Sequence, residues 1–560
     1  MVELKYGLFD VTAADDSTQS CADVQPFADV SILNTPDLDS LTVKPWATLE
    51  TNQWILDGSK KVFPNVPKNE VFGLWSLSQS GDDCNFETPV VLTCQFTEPH
   101  TTVGITFIFR EDSDEYANKV VVSYYSSSNS LITEKTFFPD RATYFASGIA
   151  EDYQKIVCKF YGTSLPNRYL KLTEIKYGAV KIFDDDSVIS AQILEEVDPT
   201  GAELSINTLE FTAYTTDFAL LDPNGVYAAL QQRQAIATKV DGENFGTFFL
   251  DEPESEDDDT TTFKCVDFVG AIDTTDFMGG IYSNKTVSSL IAEIMTSAEV
   301  ETNEYELNST LGSKTVSGYI PICTHREALQ QVAFAIGAIV DCSRGKSIKI
   351  YPQNTSVIGT ITHDEKFDGH KVKMTTLVTG VEVTAHRYTL KTDTSTAYEG
   401  NLTVGTHTLT FSEPYAQLSA SGATIVSSGA NYATVTVTTA GKVTLTGKAY
   451  EDSTSIIGVY ASELPANAKP NVITCDDSAT LVDTAKAAEI AQRLYNFYQM
   501  RYEDTGELIL GNQKAGQTWR MNSLNNRDLV GVVQSLDINL ITGVADMKIT
   551  GTAAAREETQ

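Results

Sequence analysis

The sequence predicts a mainly β, multi-domain protein. Three observations carry that. Thr, Ser, Tyr, Val and Phe are abundant between short Gly, Asn and Asp punctuations, the profile of strands joined by turns. Apolar residues recur at every second position in many short stretches, as at Val103, Ile105, Phe107 and Phe109. Only three segments carry helical spacing over two turns or more. The 560 residues leave room for three or four domains of ~150 residues each. A hydrophobic content of 42% is ample for packed cores.

The net charge of −35 excludes some partners. Phosphate binding needs clustered Lys and Arg, so wrapping nucleic acid is excluded, as is docking on an anionic bilayer. An acidic surface keeps a chain soluble. It also makes a wall past which DNA slides without sticking. The opening stretch, MVELKYGLFDVTAADD, has no cationic segment followed by an apolar one, and is read as lacking a secretion signal. No run of about eighteen apolar residues occurs. The expectation is synthesis in the cytosol, with no membrane span. Cys21, Cys84, Cys94, Cys158, Cys265, Cys323, Cys342 and Cys475 form no CxxC pair and are read as reduced, mostly buried thiols.

Residues 1–25 are polar and Asp-rich and read as an extended arm. Residues 26–182 read as a two-sheet sandwich, with strands at Val103–Phe109, Val120–Tyr125, Lys155–Tyr161 and Tyr169–Ile175. Strands are then expected at Ile189–Glu196, Leu204–Tyr214, Gln231–Val240, Gly246–Leu250 and Thr261–Gly270, with an acidic loop at Glu252–Asp259. Val287, Leu290, Ile291 and Ile294 give the first helix one apolar face. The second has Thr324 as N-cap with Glu327 three residues on, an apolar face at Leu329, Val332, Ala333 and Ile336, and Gly337 as its stop. A hairpin over Ala338–Tyr351 turns at Ser343-Arg344-Gly345-Lys346. Residues 392–470 read as a small β insertion whose ends lie close together. The longest helix spans 480–501, with Ala487, Ala491, Leu494 and Tyr498 on one face. Strands at Glu507–Leu510, Thr518–Met521, Val530–Asn539 and Ala545–Gly551 close the chain.

Two resemblances follow. Thr102–Phe109, Val120–Tyr125 and Leu165–Leu172 resemble the galactose-binding-like jelly roll of discoidin domains and carbohydrate-binding modules. That implies a glycan contact through loops at one end, with Trp46, Trp54 and Trp75 as stacking platforms. The alternative is that these three plug the sandwich or its interface. Across 186–375, a strand at Cys265–Gly270, the step Gly318-Tyr319-Ile320-Pro321, an ALQQVAFAIGA helix and a hairpin come in one order. That order, with the run Asp528–Gly543, resembles the baseplate hub or tail-tip hub proteins of tailed phages, including the hub-like N-terminal part of tail-associated lysins.

The resemblance implies a jelly-roll β-sandwich (26–182) after the arm, a first hub barrel with two helices (183–375), and a second hub barrel with a long helix (376–391 and 471–560). Residues 392–470 interrupt the second. It implies a homotrimeric ring in the virion, continuing the tail tube. Its partners would be a distal tail or tube protein, a tape measure and receptor-binding proteins. DNA would pass through the lumen without specific binding. Other readings are a glycan-binding adhesin or a cell-wall or polysaccharide hydrolase.

No catalytic signature stands against these. Gly345-Lys346-Ser347 lacks the Gly a P-loop needs five positions earlier, where Val340 stands. No nucleophile elbow or HExxH occurs. His363-Asp364-Glu365 with His370 match no metal-ligand spacing. The acidic runs at Asp184–Asp186 and Glu252–Asp259 lack the calcium-loop pattern. The expectation is a structural protein with no catalytic, metal or cofactor residues.

Overall fold

A computed structural model describes residues 1–34, 48, 50, 51, 53, 57, 73–109, 115–215, 235–255, 257–464, 466–475 and 480–556. The fold is mainly β. The described residues fall into two compact units. One holds 5–183 with 235–236; the other holds 1–4, 184–215 and 237–556. All eight cysteines are free thiols, and Cys94, Cys158, Cys265 and Cys342 are buried. No helix among the described residues is long and apolar enough to cross a membrane.

Seven strands of the first unit are linked by hydrogen bonds into one sheet, where two separate sheets were expected. Its spine is two very long strands, Asn85–Phe109 and Thr143–Thr163, paired antiparallel. Register shifts between Gln95 and Gly104 bend the pair, so one sheet folds over its own core. Phe107, Phe109 and Phe160 meet in that core, with Phe107 and Phe160 edge-on at 5.4 Å. The expected arm is ordered. Asp10 caps a helix at Val11–Asp16 by accepting from the Ala13 N–H (3.0 Å), and Thr18–Cys21 pairs with the long strand at Leu92–Gln95.

The second unit is built on a sheet that joins both parts of the sequence expected to form barrels. Val188–Glu196 pairs with Thr208–Tyr214 on one side. On the other it pairs with Arg527–Asn539, Gln192 opposite Asn539. Arg527–Asn539 pairs in turn with Thr518–Ser523 and Val544–Ala555. The stretch read as an acidic loop begins as strand, since Glu243–Glu254 pairs with Thr260–Val266 out to Glu254. Strand does not reach Gly270: Asp267 ends it and caps a short helix, Phe268–Ala271.

Two helices stand within a residue of where the periodicities put them, at Val287–Ser297 and His325–Ile336; the third, Thr484–Tyr498, is shorter than the expected 480–501, because Asp483 caps its start by accepting from the Lys486 N–H. Thr324 accepts from the Glu327 N–H, and the Glu327 carboxylate accepts from the Thr324 N–H. Gly337 ends that helix at φ 72°, a left-handed conformation that costs other residues energy. All three helices share one core with Val381, Val383 and Ala385. The expected boundary at 375/376 therefore cuts through a single core.

The insertion is shorter than 392–470. Gly380–Leu390 pairs with Gly441–Tyr460 until Leu390 lies opposite Tyr450, so the excursion leaves and returns on neighbouring strands. Its small sheets enclose Leu409, Phe411, Tyr415, Val435 and Leu445.

Two variants test these helix ends. Thr324→Ala removes the cap and is expected to cost about 1 kcal/mol. Gly337→Val is expected to cost more, because it forces a β-branched residue into the left-handed region and drives its Cβ into the Arg493 guanidinium. Urea denaturation of the full chain measures both.

Candidate interaction site

The junction of the two sequence halves holds a buried polar site in the second unit. The hairpin Ala338–Asp341/Ile348–Pro352 presents Arg344 at φ 51°. Its Nε donates to Glu195 Oε1 (2.7 Å), and its Nη2 donates to the Gln513 carbonyl (2.7 Å). The guanidinium also lies 5.0 Å from the Phe245 ring centre. Four separate segments thus meet on one side chain. The pair is buried, at 8% and 1% exposure. Burial raises the Glu195 carboxyl above its ordinary range, and Arg344 pulls the other way.

Arg493, on Thr484–Tyr498, makes a second tie. Its Nη2 donates to the Phe334 carbonyl (2.8 Å) in the last turn of His325–Ile336, where a cation complements the helix C-terminus. Burial lowers its pKa to about 10. Beside it runs a groove of about 660 Å³, with Leu494, Phe497, Met500, Val530 and Val532 along its walls.

Asp267 is a third buried polar group. It accepts from the Gly270 N–H (2.9 Å) and the Asn207 N–H (3.1 Å). Those bonds favour the carboxylate, but burial outweighs them and pushes the carboxyl up to about 7.

The sequence singled out other residues. Trp46 and Trp54 lie outside the described residues. Trp75 is 2% exposed, edge-on to Phe27 at 5.5 Å, with Lys171 Nζ 5.4 Å from its ring. As placed, it offers no open face to a sugar. Lys171 belongs to a buried charge cluster, donating to Glu50 Oε1 (2.8 Å) and Glu115 Oε2 (2.7 Å).

His363 and His370 do not converge on a metal position. His370 Nδ1 lies 2.8 Å from Asp504 Oδ1, whose other oxygen accepts from Ser523 (2.7 Å). His363 faces Arg556 at 3.3 Å. No group of three or more metal-ligating side chains occurs among the described residues. Gly345-Lys346-Ser347 lies between the hairpin strands.

Sequence reasoning passed over Arg344 and Glu195. The first looked like a turn residue, and the second like the acidic end of a strand.

With the geometry in hand, comparison adds the following. No family model matches the chain, and no curated protein sequence matches it. Solved structures similar to it include the 43 kDa tail protein of prophage MuSo2 from Shewanella oneidensis. It is 14% identical, with a TM-score of 0.40, over 66% of this chain and 95% of that one. A second is the tail protein from Neisseria meningitidis, at 9% identity and TM-score 0.39, over 65% and 95%. A third is prophage tail protein gp18 from Listeria monocytogenes, at 11% identity and TM-score 0.39, over 67% and 91%. All three are tail proteins. Similarity at this level does not place the chain in their family.

Two measurements probe the site. Arg344→Met leaves Glu195 buried without its cation and is expected to cost about 3–5 kcal/mol. The double variant with Glu195→Gln should recover part of that in urea denaturation. For Asp267 the folded state binds its proton more tightly than the unfolded chain. Its contribution to stability is full below the ordinary carboxyl pKa near 4 and is lost as pH rises through about 7. Asp267→Asn should therefore flatten the fall in Tm between those limits, relative to the wild-type chain.

Proposed function

We propose that the chain is a structural subunit of a phage tail tip or baseplate hub. It assembles as a homotrimeric ring that continues the tail tube, supports host attachment and lets DNA pass. One observation carries this reading. Two parts of the chain far apart in sequence pair in one sheet at Gln192–Glu196 and Ser535–Asn539, in the element order that the hub resemblance rests on. The net charge supports it too, because an acidic lumen does not retain a polyanion. The partners are a distal tail or tube protein, a tape measure and receptor-binding proteins, and the product resides in the virion.

Native mass spectrometry of the full chain tests the ring. Three chains of 61.1 kDa are expected, and stacked rings when the tube protein from the same gene cluster is added. A subunit that stays single at every concentration and never joins a tube defeats the proposal.

A further inference from the structure

Lysine is seldom fully buried, yet the Lys171 side chain is 3% exposed. Its strand, Tyr169–Lys176, sends Leu170 and Leu172 into the core. Alternation puts Lys171 on the other face, opposite Trp75 of the neighbouring strand. That face is covered as well. Glu50 and Glu115 close over the ammonium with side chains 0% and 5% exposed.

The two carboxylates are placed differently. Glu50 turns both oxygens to Lys171 Nζ, at 2.8 and 2.9 Å, and its Oε1 also accepts from the Tyr169 N–H (2.8 Å). Glu115 turns only Oε2 to Nζ, at 2.7 Å. Its Oε1 accepts from Gln53 Nε2 (2.5 Å) and lies 3.2 Å from Arg168 Nε. An amine thus meets a carboxyl group whose far oxygen is surrounded by donors, the layout that stabilises an oxyanion. A second carboxylate stands at the amine to carry its protons.

We propose that Lys171 and Glu115 condense to an intramolecular amide, with Glu50 as the base. The Nζ lone pair bonds Cδ of Glu115 after Glu50 takes a proton from the ammonium. Charge gathers on Oε1, held by Gln53 and Arg168. The Cδ–Oε2 bond then breaks, and its electron pair leaves with the oxygen. Both protons shed by the ammonium reach Oε2 through Glu50, so one water departs and Glu50 ends as the carboxylate it was. Nothing is oxidised or reduced. The groups are already in contact, so no encounter has to be arranged. The product replaces two buried charges by a neutral amide, which relieves their desolvation. The link ties Tyr169–Lys176 to the start of Ala117–Tyr125 and does not depend on the ring reading.

Intact mass spectrometry of the full chain, after overnight incubation at neutral pH, tests it. A mass lower by one water is expected, with a branched tryptic peptide that joins Glu115 to Lys171. Lys171→Arg keeps a cation in the site and should retain its full mass. Glu50→Gln should form the link at least about a hundredfold more slowly. If Glu50→Gln does not fold, the wild-type peptide map alone decides. A wild-type chain at full mass, or a water lost elsewhere with Glu115 and Lys171 unjoined, overturns the proposal. An equal rate in Glu50→Gln removes Glu50 as the base.

Discussion

The second unit depends on one seam, where Gln192–Glu196 lies antiparallel to Ser535–Asn539. Glu195 sits opposite Leu536 in that seam and is 1% exposed. A carboxylate there is compensated by Arg344, which reaches it from the hairpin turn. The same guanidinium holds the Gln513 carbonyl, fixing the segment that leads into Thr518–Ser523. A slip of one residue would send Glu195 to the other face and leave Arg344 without its carboxylate. Hydrophobic burial makes the seam stable. The buried ion pair makes it unique in register.

Legibility from sequence tracks how local each cause is. The helix His325–Ile336 was readable to within a residue because its start is a capping box and its stop is a glycine, both within the segment. Thr484–Tyr498 was readable from one apolar face. What escaped was set by distant partners. Nothing near Gln95–Gly104 announces that register shifts there bend one sheet where two were expected. The return of the insertion at Tyr450 is fixed by its pairing with Leu390, sixty residues earlier, and Thr/Ser-rich alternation runs on regardless. Arg344 and Glu195 each look solvated alone, and only the fold makes them a pair. The order of elements behind the hub resemblance was legible; the single core beneath it was not.

The seam also orders folding. Its two strands are separated by most of the chain, so the closing contacts carry a large loop-closure entropy and form late. The insertion has no such dependence. Its ends are neighbours at Leu390 and Tyr450, and it encloses its own small core. The helices can gather early, since Val287–Ser297 and His325–Ile336 are close in sequence and pack in one cluster. Arg493 then ties the C-terminal helix to the end of His325–Ile336, and Arg344 and Glu195 lock the sheet. Until the last strands pair, the second unit lacks its finished sheet.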